Sequence, residues 1–441
     1  MMAKMDYIKK LEKDLLEYMV KDKEDLQIKG WYFGINSSTS LKIGMKNNEL
    51  GGPYSCPKAE DSIRGKIYII WKDNRRSVAS LESNTLNNIP RMMVYWRRAS
   101  YMDEGAPDIY VDSQYPDVKL YDEEVHKMID EDQDSLYDYL SNYKSQLLEG
   151  GLRNITATAS ASYFDHYIRN SQGLKIENRA TSFSTSLYAD ETYGKSYISR
   201  RKLMKDRSQS FINQIASTVL SLRKKGTIEG GPMKILLMPE VTEAFILHYL
   251  LRNLQGSSVH NKRSAFLQGD FDEGKKVMAE NLNLYLNTIE DYNQGSYIST
   301  YEGVAGGEIH LIKDGQLNSP ILDLKYANKM NKKATPLPAG QGSLKFYGKK
   351  KENYQDTIDG MDKGIIICNL LGMHTQDATS GNYSLTAPNC MILEKGKIVG
   401  GCKAVISGNF FEALKDQETA IVELKGSEEP MLLMKSKITV D

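Results

Sequence analysis

Six histidines, at 126, 166, 248, 260, 310 and 374, and four cysteines, at 56, 368, 390 and 402, are the strongest candidate metal ligands in this sequence. A catalytic zinc needs three protein ligands with an open fourth position, and a zinc peptidase also needs a carboxylate base beside them. No His-Glu-x-x-His run occurs. His248 is followed by Tyr249-Leu250-Leu251-Arg252-Asn253, with no carboxylate next to it and no second histidine within two turns. His260 is the nearest imidazole in sequence. One reading joins His248 and His260 to a distant Cys390 or Cys402, and the plainer reading makes His248 a half-buried polar residue of a helix. Cys368 lies in the apolar run Gly364–Gly372, which predicts an inert, buried thiol.

Other chemistries leave fainter marks. There is no Gly-x-Ser-x-Gly elbow, dinucleotide fingerprint or Walker sequence. Thr379-Ser380-Gly381-Asn382-Tyr383 is a glycine turn flanked by hydroxyls. It either presents backbone N–H groups to a carbonyl or carboxylate, or is a tight turn between strands. Arg252, Lys262 and Arg263 are suited to an acidic group or a peptide terminus, and equally to a solvated loop. From chemistry alone no enzyme class emerges.

The elements that must position these residues are more legible. Lys234–Met238 is a short apolar run, Pro239 stops it, and Val241, Phe245, Leu247, His248, Leu251 and Leu254 then recur in a helical pattern up to Gly256. That is strand, then helix, then polar loop. Upstream, residues 5–22 pattern as an amphipathic helix, 27–46 as strands (LQIKGWYFGI, then TSLKIGMKN), 66–80 as a hairpin across Lys72–Arg75, and 86–101 and 122–147 as helices. Gly51-Gly52-Pro53 marks a turn. Residues 153–205 alternate small or apolar with polar residues, turning at Asn170–Gly173 and near Asp190, and 208–223 is a further helix. After 270, Asp314-Gly315 and Lys395-Gly396 are hairpin turns, 329–352 reads as a long loop, 364–372 as a buried strand, 409 onward as a short helix and 430–440 as a closing strand. A boundary in Lys224–Pro232 predicts an N-terminal domain over 1–228, with its hairpin-rich segment 153–205, and a C-terminal domain over 229–441.

Composition narrows the class. Lys+Arg and Asp+Glu both number 57 among 441 residues, so no basic surface argues for nucleic acid. Tyr 27 against Phe 10 favours half-exposed sheet surfaces. Four cysteines do not make a disulfide scaffold, no apolar run reaches membrane-spanning length, and the N-terminus lacks a signal-peptide core. The expectation is a cytoplasmic protein bound to neither membrane nor nucleic acid.

Several stretches, in order and spacing, resemble the TldD/PmbA family, once called modulators of DNA gyrase. They are GPMKILLMPEVTEAFILHYLLRNLQGSSVHNKRSAFLQGD at 231–270, YEGVAGGEIHLIKDGQL at 301–317, TSGNYSLTAPNCMILEKGKIVGG at 379–401 and ISGNFFEAL at 406–414, with NSQG at 170–173. The resemblance implies an α+β protein with an N-terminal mixed α/β domain. Its C-terminal domain would be built on a curved, barrel-like, mainly antiparallel sheet, in a dimer enclosing a cavity. It also implies relatedness to zinc metallopeptidases that process unfolded peptides. The TldD branch carries His-Glu-x-x-x-His on the helix matching His248 to Asn253, and a ligand cysteine near its C-terminus. Here Tyr249 stands at the glutamate position, Asn253 at the second histidine position, and no cysteine follows Cys402. The chain therefore looks like the PmbA or TldE branch, which lacks the ligands, pairs with a TldD-like subunit and holds no cofactor of its own. Phe266-Leu267 after Ser264 matches an element of that branch. The expected cavity wall is Thr379, Ser380, Gly381, Asn382 and Tyr383, then His248, Arg252, Lys262 and Arg263, holding an extended peptide. Two alternatives stand beside this: an independent metallopeptidase with a non-standard site at His248 and His260, and a homodimeric peptide-binding protein without enzymatic activity.

Overall fold

The structure, a computed structural model, describes residues 2–20, 26–52, 55–82, 85, 87–424 and 429–440, with side chains from residue 8 onward. Residues 21–22 of the expected first helix and Pro53 of the expected turn lie outside the described residues. Helix α1 (Met2–Val20) buries Ile8, Leu11, Leu15 and Tyr18; of the stripe expected from periodicity, Ile8, Leu11, Leu15, Leu16 and Met19, Leu16 is exposed and Met19 half-buried, so the buried face is turned toward Tyr18.

The first sheet comprises β1 (Ile28–Lys46), β2 (Glu49–Leu50), β3 (Lys58–Trp71), β4 (Arg76–Glu82), β5 (Ile155–Asn170), β6 (Lys175–Ala189) and β7 (Tyr193–Ser199). Its order is β4-β3-β1-β5-β6-β7, antiparallel throughout, with β2 paired to β1. The two strands expected over 27–46 are one. The polar stretch Asn36–Ser40 resembles a break, but β3 and β5 pair with it on both sides. Ser38 hydrogen-bonds Ser62 at 2.8 Å and Thr39 donates to Asp61 at 2.5 Å. Tertiary pairing thus overrides local propensity. The turns after β5 and β6 fall where expected, with Gly173, Asp190 and Glu191 at positive φ.

Helix α2 (Ile89–Arg98) covers β4. The single helix expected over 122–147 is two, α3 (Glu123–Asp130) and α4 (Asp134–Glu149), broken at the acidic Glu131-Asp132. The break spares the stripe: Val125, Met128 and Ile129 continue as Leu136, Leu140 and Leu147, all buried. Helix α5 (Lys205–Arg223) leads into the second half.

There β8 (Gly231–Leu237) precedes α6 (Pro239–Phe245), a π turn (Ile246–Leu251) and α7 (Arg252–Leu254). Two short helices follow, α8 (Gly256–His260) and α9 (Gln268–Asp272). A four-stranded antiparallel sheet of β9 (Leu282–Asn287), β10 (Glu308–Lys313), β11 (Gln316–Leu317) and β12 (Leu344–Gly348) has the order β11-β10-β9-β12. Strand β12 shortens the long loop expected over 329–352, and α10 (Leu324–Met330) precedes that loop.

The last sheet adds β13 (Lys351–Asn353), then helix α11 (Tyr354–Asp359), β14 (Lys363–Ile367), β15 (Asn382–Glu394), β16 (Lys397–Asn409), helix α12 (Phe410–Lys415), β17 (Ala420–Glu423) and β18 (Met431–Val440). Strand β18 pairs with β8 on one side and β16 on the other, so β8, β18, β16, β15 and β14 close into a barrel. All pairs in this ring are antiparallel except β14–β8. Closure removes free edges and buries Ile235–Leu237, Ile365–Ile367 and Leu432. The buried strand expected over 364–372 ends at Ile367. Among the described residues no helix is long and apolar enough to cross a membrane.

Candidate functional site

The helix carrying His248 widens into its π turn where the sequence could do chemistry. On an α-helix, residues five apart point about 140° away from each other. A π turn, closed by bonds to the fifth residue, brings them back toward one face. Here it sends His248 and Asn253 to one partner, the loop that follows β14. His248 Nε2 donates to Gln376 O at 3.1 Å, and Asn253 Nδ2 donates to Ala378 O at 2.8 Å. Tyr249, between them, donates its hydroxyl to Asn382 O at 2.9 Å. All three side chains act as donors to the backbone carbonyls of one seven-residue segment.

Asn253 does more. It is 1% exposed, and its amide also donates to Tyr249 O at 2.7 Å. Its Oδ1 accepts the Ala265 N–H at 2.6 Å, and its main-chain carbonyl accepts Ser264 Oγ at 2.7 Å. Ser264 Oγ in turn accepts the Phe266 N–H. One side chain thus fastens the 264–266 turn to the 376–378 loop.

The floor beneath is aromatic. Tyr249 is fully buried against Phe245, Phe410 and Phe411, and Phe245 meets Tyr383 edge-on. Each such pair adds about 0.5–1.5 kcal/mol beyond area burial. Burial pushes the Tyr249 hydroxyl above its ordinary range. Burial also holds the His248 imidazole below its usual value, Arg252 adds to this, and the Gln376 carbonyl opposes it. His248 is therefore neutral at neutral pH, with its proton on the nitrogen facing the carbonyl.

The loop braces itself. Asp377 Oδ1 accepts Thr379 N–H at 2.9 Å and Thr379 Oγ1 at 2.8 Å, which holds its carboxyl below the usual range. Ser380 Oγ accepts Asn382 N–H, and Asn409 Nδ2 donates to Ser380 O and Asn382 Oδ1. Phe410 N–H, in the first turn of α12, donates to Gly381 O at 2.7 Å. Gly381 has φ +73°, and a Cβ there would lie 2.5 Å from the Phe411 ring, so the position requires glycine. Tyr383 points inward, its hydroxyl on Ser436 Oγ at 3.0 Å.

The residues singled out in the sequence are therefore brought together in part. His248 reaches the 376–382 loop at Gln376, and its neighbour Tyr249 reaches Asn382 of the same loop. Arg252, Lys262 and Arg263 are exposed, on α7 and in the turn after α8. His260 packs against Tyr326 of α10, ring centroids 5.9 Å apart. Cys390 and Cys402 face each other across β15 and β16. Among the described residues no three His, Cys, Asp or Glu side chains stand together in a way that would hold a metal. The role of Asn253 was not read from the sequence, because its partners are 12 and 125 residues away. A cavity of about 1320 Å³ is lined instead by β7, α5 and the β9–β12 sheet.

Residues 230–435 match the family model described as the PmbA/TldA metallopeptidase C-terminal domain. An uncharacterized protein of Methanocaldococcus jannaschii, MJ0231, is 24% identical over 301 residues, 66% of this chain and 70% of that one. The Synechocystis metalloprotease slr0863 is 23% identical over 202 residues, 44% of this chain and 42% of its own length. Among solved structures, TldE from Thermococcus kodakarensis superposes with a TM-score of 0.80 at 16% identity, covering 98% of this chain and all of that one.

Proposed function

Because the chain belongs to the TldD/PmbA family, we propose that it is the metal-free partner subunit of a TldD-type zinc metallopeptidase that processes unfolded peptides. The observation that carries this reading is the use made of the three positions of the TldD-branch ligand pattern. His248, Tyr249 and Asn253 all donate hydrogen bonds to carbonyls of the 376–382 loop. A zinc ligand must offer a lone pair. His248 Nε2 is committed as a donor, which leaves the imidazole a single lone pair on Nδ1, the Asn253 carboxamide oxygen accepts Ala265 N–H, and Tyr249 is a buried phenol whose hydroxyl is raised rather than lowered, so at most one of the three ligands a catalytic zinc needs is present. Zinc does not fit this donor set, and no carboxylate stands at 249 to activate water. The helix and the loop have become a structural joint.

In this reading the chain completes a chamber and helps to hold an extended substrate, while the zinc subunit supplies the cleavage chemistry. The joint keeps Thr379–Asn382 in fixed register beside the helix, which suits a rigid chamber wall. The test is reconstitution with a TldD-type zinc subunit and a fluorogenic unfolded peptide. Cleavage by the pair, with none by this chain alone in added zinc, is the expected result. Zinc-dependent cleavage by the chain alone, abolished by His248→Ala, would overturn it.

A further inference from the structure

Two of the four cysteines are brought together by a β-bulge. Ala387 of β15 pairs with Ala404 of β16, and Cys390 pairs with Cys402. Two residues, Pro388 and Asn389, thus face the one residue Lys403. Continued from Ala387 without the extra residue, the register would set Asn389 opposite Cys402. The bulge moves Cys390 into that place. Side chains of directly opposed residues leave a sheet on the same face. Their Cα atoms lie about 4.5–5.5 Å apart, within the roughly 4.4–6.8 Å that a disulfide spans. Both thiols are free.

The two partners differ in access. Cys390 is 0% exposed, and the bulge before it is anchored: Asn389 O accepts the Cys368 N–H at 3.0 Å, and Asn389 Nδ2 donates to Thr192 O at 2.9 Å. Cys402 is half-buried and reaches solvent. Hydrogen bonding between the two thiols lowers Cys402, with burial opposing, and raises Cys390, with burial adding to the rise. The Cys390 S–H therefore supports a thiolate on Cys402, and the thiolate is the reactive form. Cys368 supplies the contrast. It lies just past the end of β14, is buried, and its thiol is pushed up by that burial, with Glu240 adding to it. It is a small apolar core residue, as buried cysteines usually are. Cys402, open to solvent with a thiol behind it, is not.

We propose that Cys402 and Cys390 form a redox-active dithiol, in which Cys402 exchanges with low-molecular-weight disulfides and Cys390 resolves the adduct. The Cys402 thiolate attacks one sulfur of R–S–S–R. A Cys402–S–S–R bond forms, the R–S bond to the other sulfur's partner breaks, and R–S⁻ leaves to take up the proton that Cys402 gave up. Capped in this way, Cys402 carries no charge, and the part of the Cys390 rise that its thiolate caused is gone. Cys390 then loses its proton and attacks Cys402 Sγ, forming the cross-strand disulfide and expelling the second R–S⁻, which takes that proton. Two protein thiols are oxidised by two electrons, and one small disulfide is reduced to two thiols. The bond would lie in the strand pair whose open end, Asn382 and Asn409, holds the 376–382 loop. This inference is independent of the reading of the chain as a partner subunit.

The test uses the whole chain with Cys56→Ser, which removes the exposed competing thiol. The probe is bis(2-hydroxyethyl) disulfide, small and uncharged, so access and not charge decides the reaction. Intact mass after an acid quench, with peptide mapping, is the readout. The expected result is loss of two hydrogens, no retained adduct, and a map that joins Cys390 to Cys402, all reversed by dithiothreitol. Cys390→Ala, and Cys390→Ser as a second variant, should each hold one mixed-disulfide adduct on Cys402. Cys402→Ser should gain neither adduct nor disulfide. All variants are compared at unchanged circular dichroism. A split in which one thiol traps the adduct and the other releases it is not produced by two merely structural cysteines. An adduct on Cys390 in the Cys402→Ser protein, or a Cys368–Cys390 bond, overturns the assignment of roles. A folded chain that stays fully reduced, and forms the bond only after unfolding in urea, overturns the proposal.

Discussion

Replacing Asn253 by aspartate and by alanine tests the joint at its most demanding point. Asn253→Ala strands Ala265 N–H and Ala378 O, both previously paired within 2.8 Å. An unsatisfied buried group costs about 1–3 kcal/mol. Allowing for partial exposure of the two partners, the loss should be about 2–4 kcal/mol. Asn253→Asp keeps the acceptor for Ala265 but turns a charged oxygen toward Tyr249 O and Ala378 O, which are themselves acceptors. The folded state then favours the protonated acid, which can donate. The introduced carboxyl is raised above its unfolded value of about 3.9, and each unit of rise costs about 1.4 kcal/mol above the folded pKa. That penalty is absent below about pH 3.9, builds as pH rises, and is complete above the folded pKa. The assay is the urea midpoint of wild type and both variants from pH 5 to 8. At pH 8 the order should be wild type, alanine, aspartate, with the last two converging on acidification. An aspartate variant as stable as wild type at pH 8 would show that the amide does not pin the loop and would refute the reasoning.

Other perturbations follow from the same geometry. Tyr249→Phe keeps the aromatic floor and removes the bond to Asn382 O, so it should cost about 1–2 kcal/mol and speed hydrogen exchange in the 379–382 loop. Gly381→Ala combines a left-handed backbone with a ring contact at 2.5 Å. It should lower the stability read from denaturant unfolding by about 2 kcal/mol, so it reports on folding and is no clean probe of peptide contact; Asn382 side-chain variants serve better. Glu243 is raised to about 7 by burial, with Glu429 and Glu240 adding repulsion. A carboxyl raised in the folded state destabilises it as pH climbs from about 4.5 to about 7. Glu243→Gln should therefore stabilise the protein at pH 8, by about 1–2 kcal/mol after discounting the solvent-facing part of the side chain. It should do nothing at pH 4.5, and equal effects at both values would contradict the assignment.

The helix bearing His248 was legible from its apolar period, because Val241, Phe245 and Leu254 are core residues in any tertiary setting. The π turn was not. It depends on carbonyls at 376 and 378, and a hydrogen bond across that separation leaves no periodic trace. The hairpins were legible because their turns need positive φ at Gly173, Asp314 and Gly315, a local demand. The continuity of β1 was hidden because Asn36–Ser40 is locally a breaker, and only pairing on both sides overrides it. The cavity beside β7 was hidden for a topological reason: Ser196 and Ile198, which line it, look like residues of any alternating strand until β7 proves to be the last in its sheet. The sequence marks the loss of Glu and His at 249 and 253, but not the donors' new partners.

The most direct measurement of the central claim is peptide cleavage by this chain, by a TldD-type zinc subunit and by the reconstituted pair, with metal content of each determined by mass spectrometry. The account predicts that the pair cleaves unfolded peptides, that zinc resides in the TldD-type subunit, and that His248→Ala in this chain leaves the zinc content of the pair unchanged. One zinc per copy in this chain alone, with cleavage that His248→Ala abolishes, would contradict it.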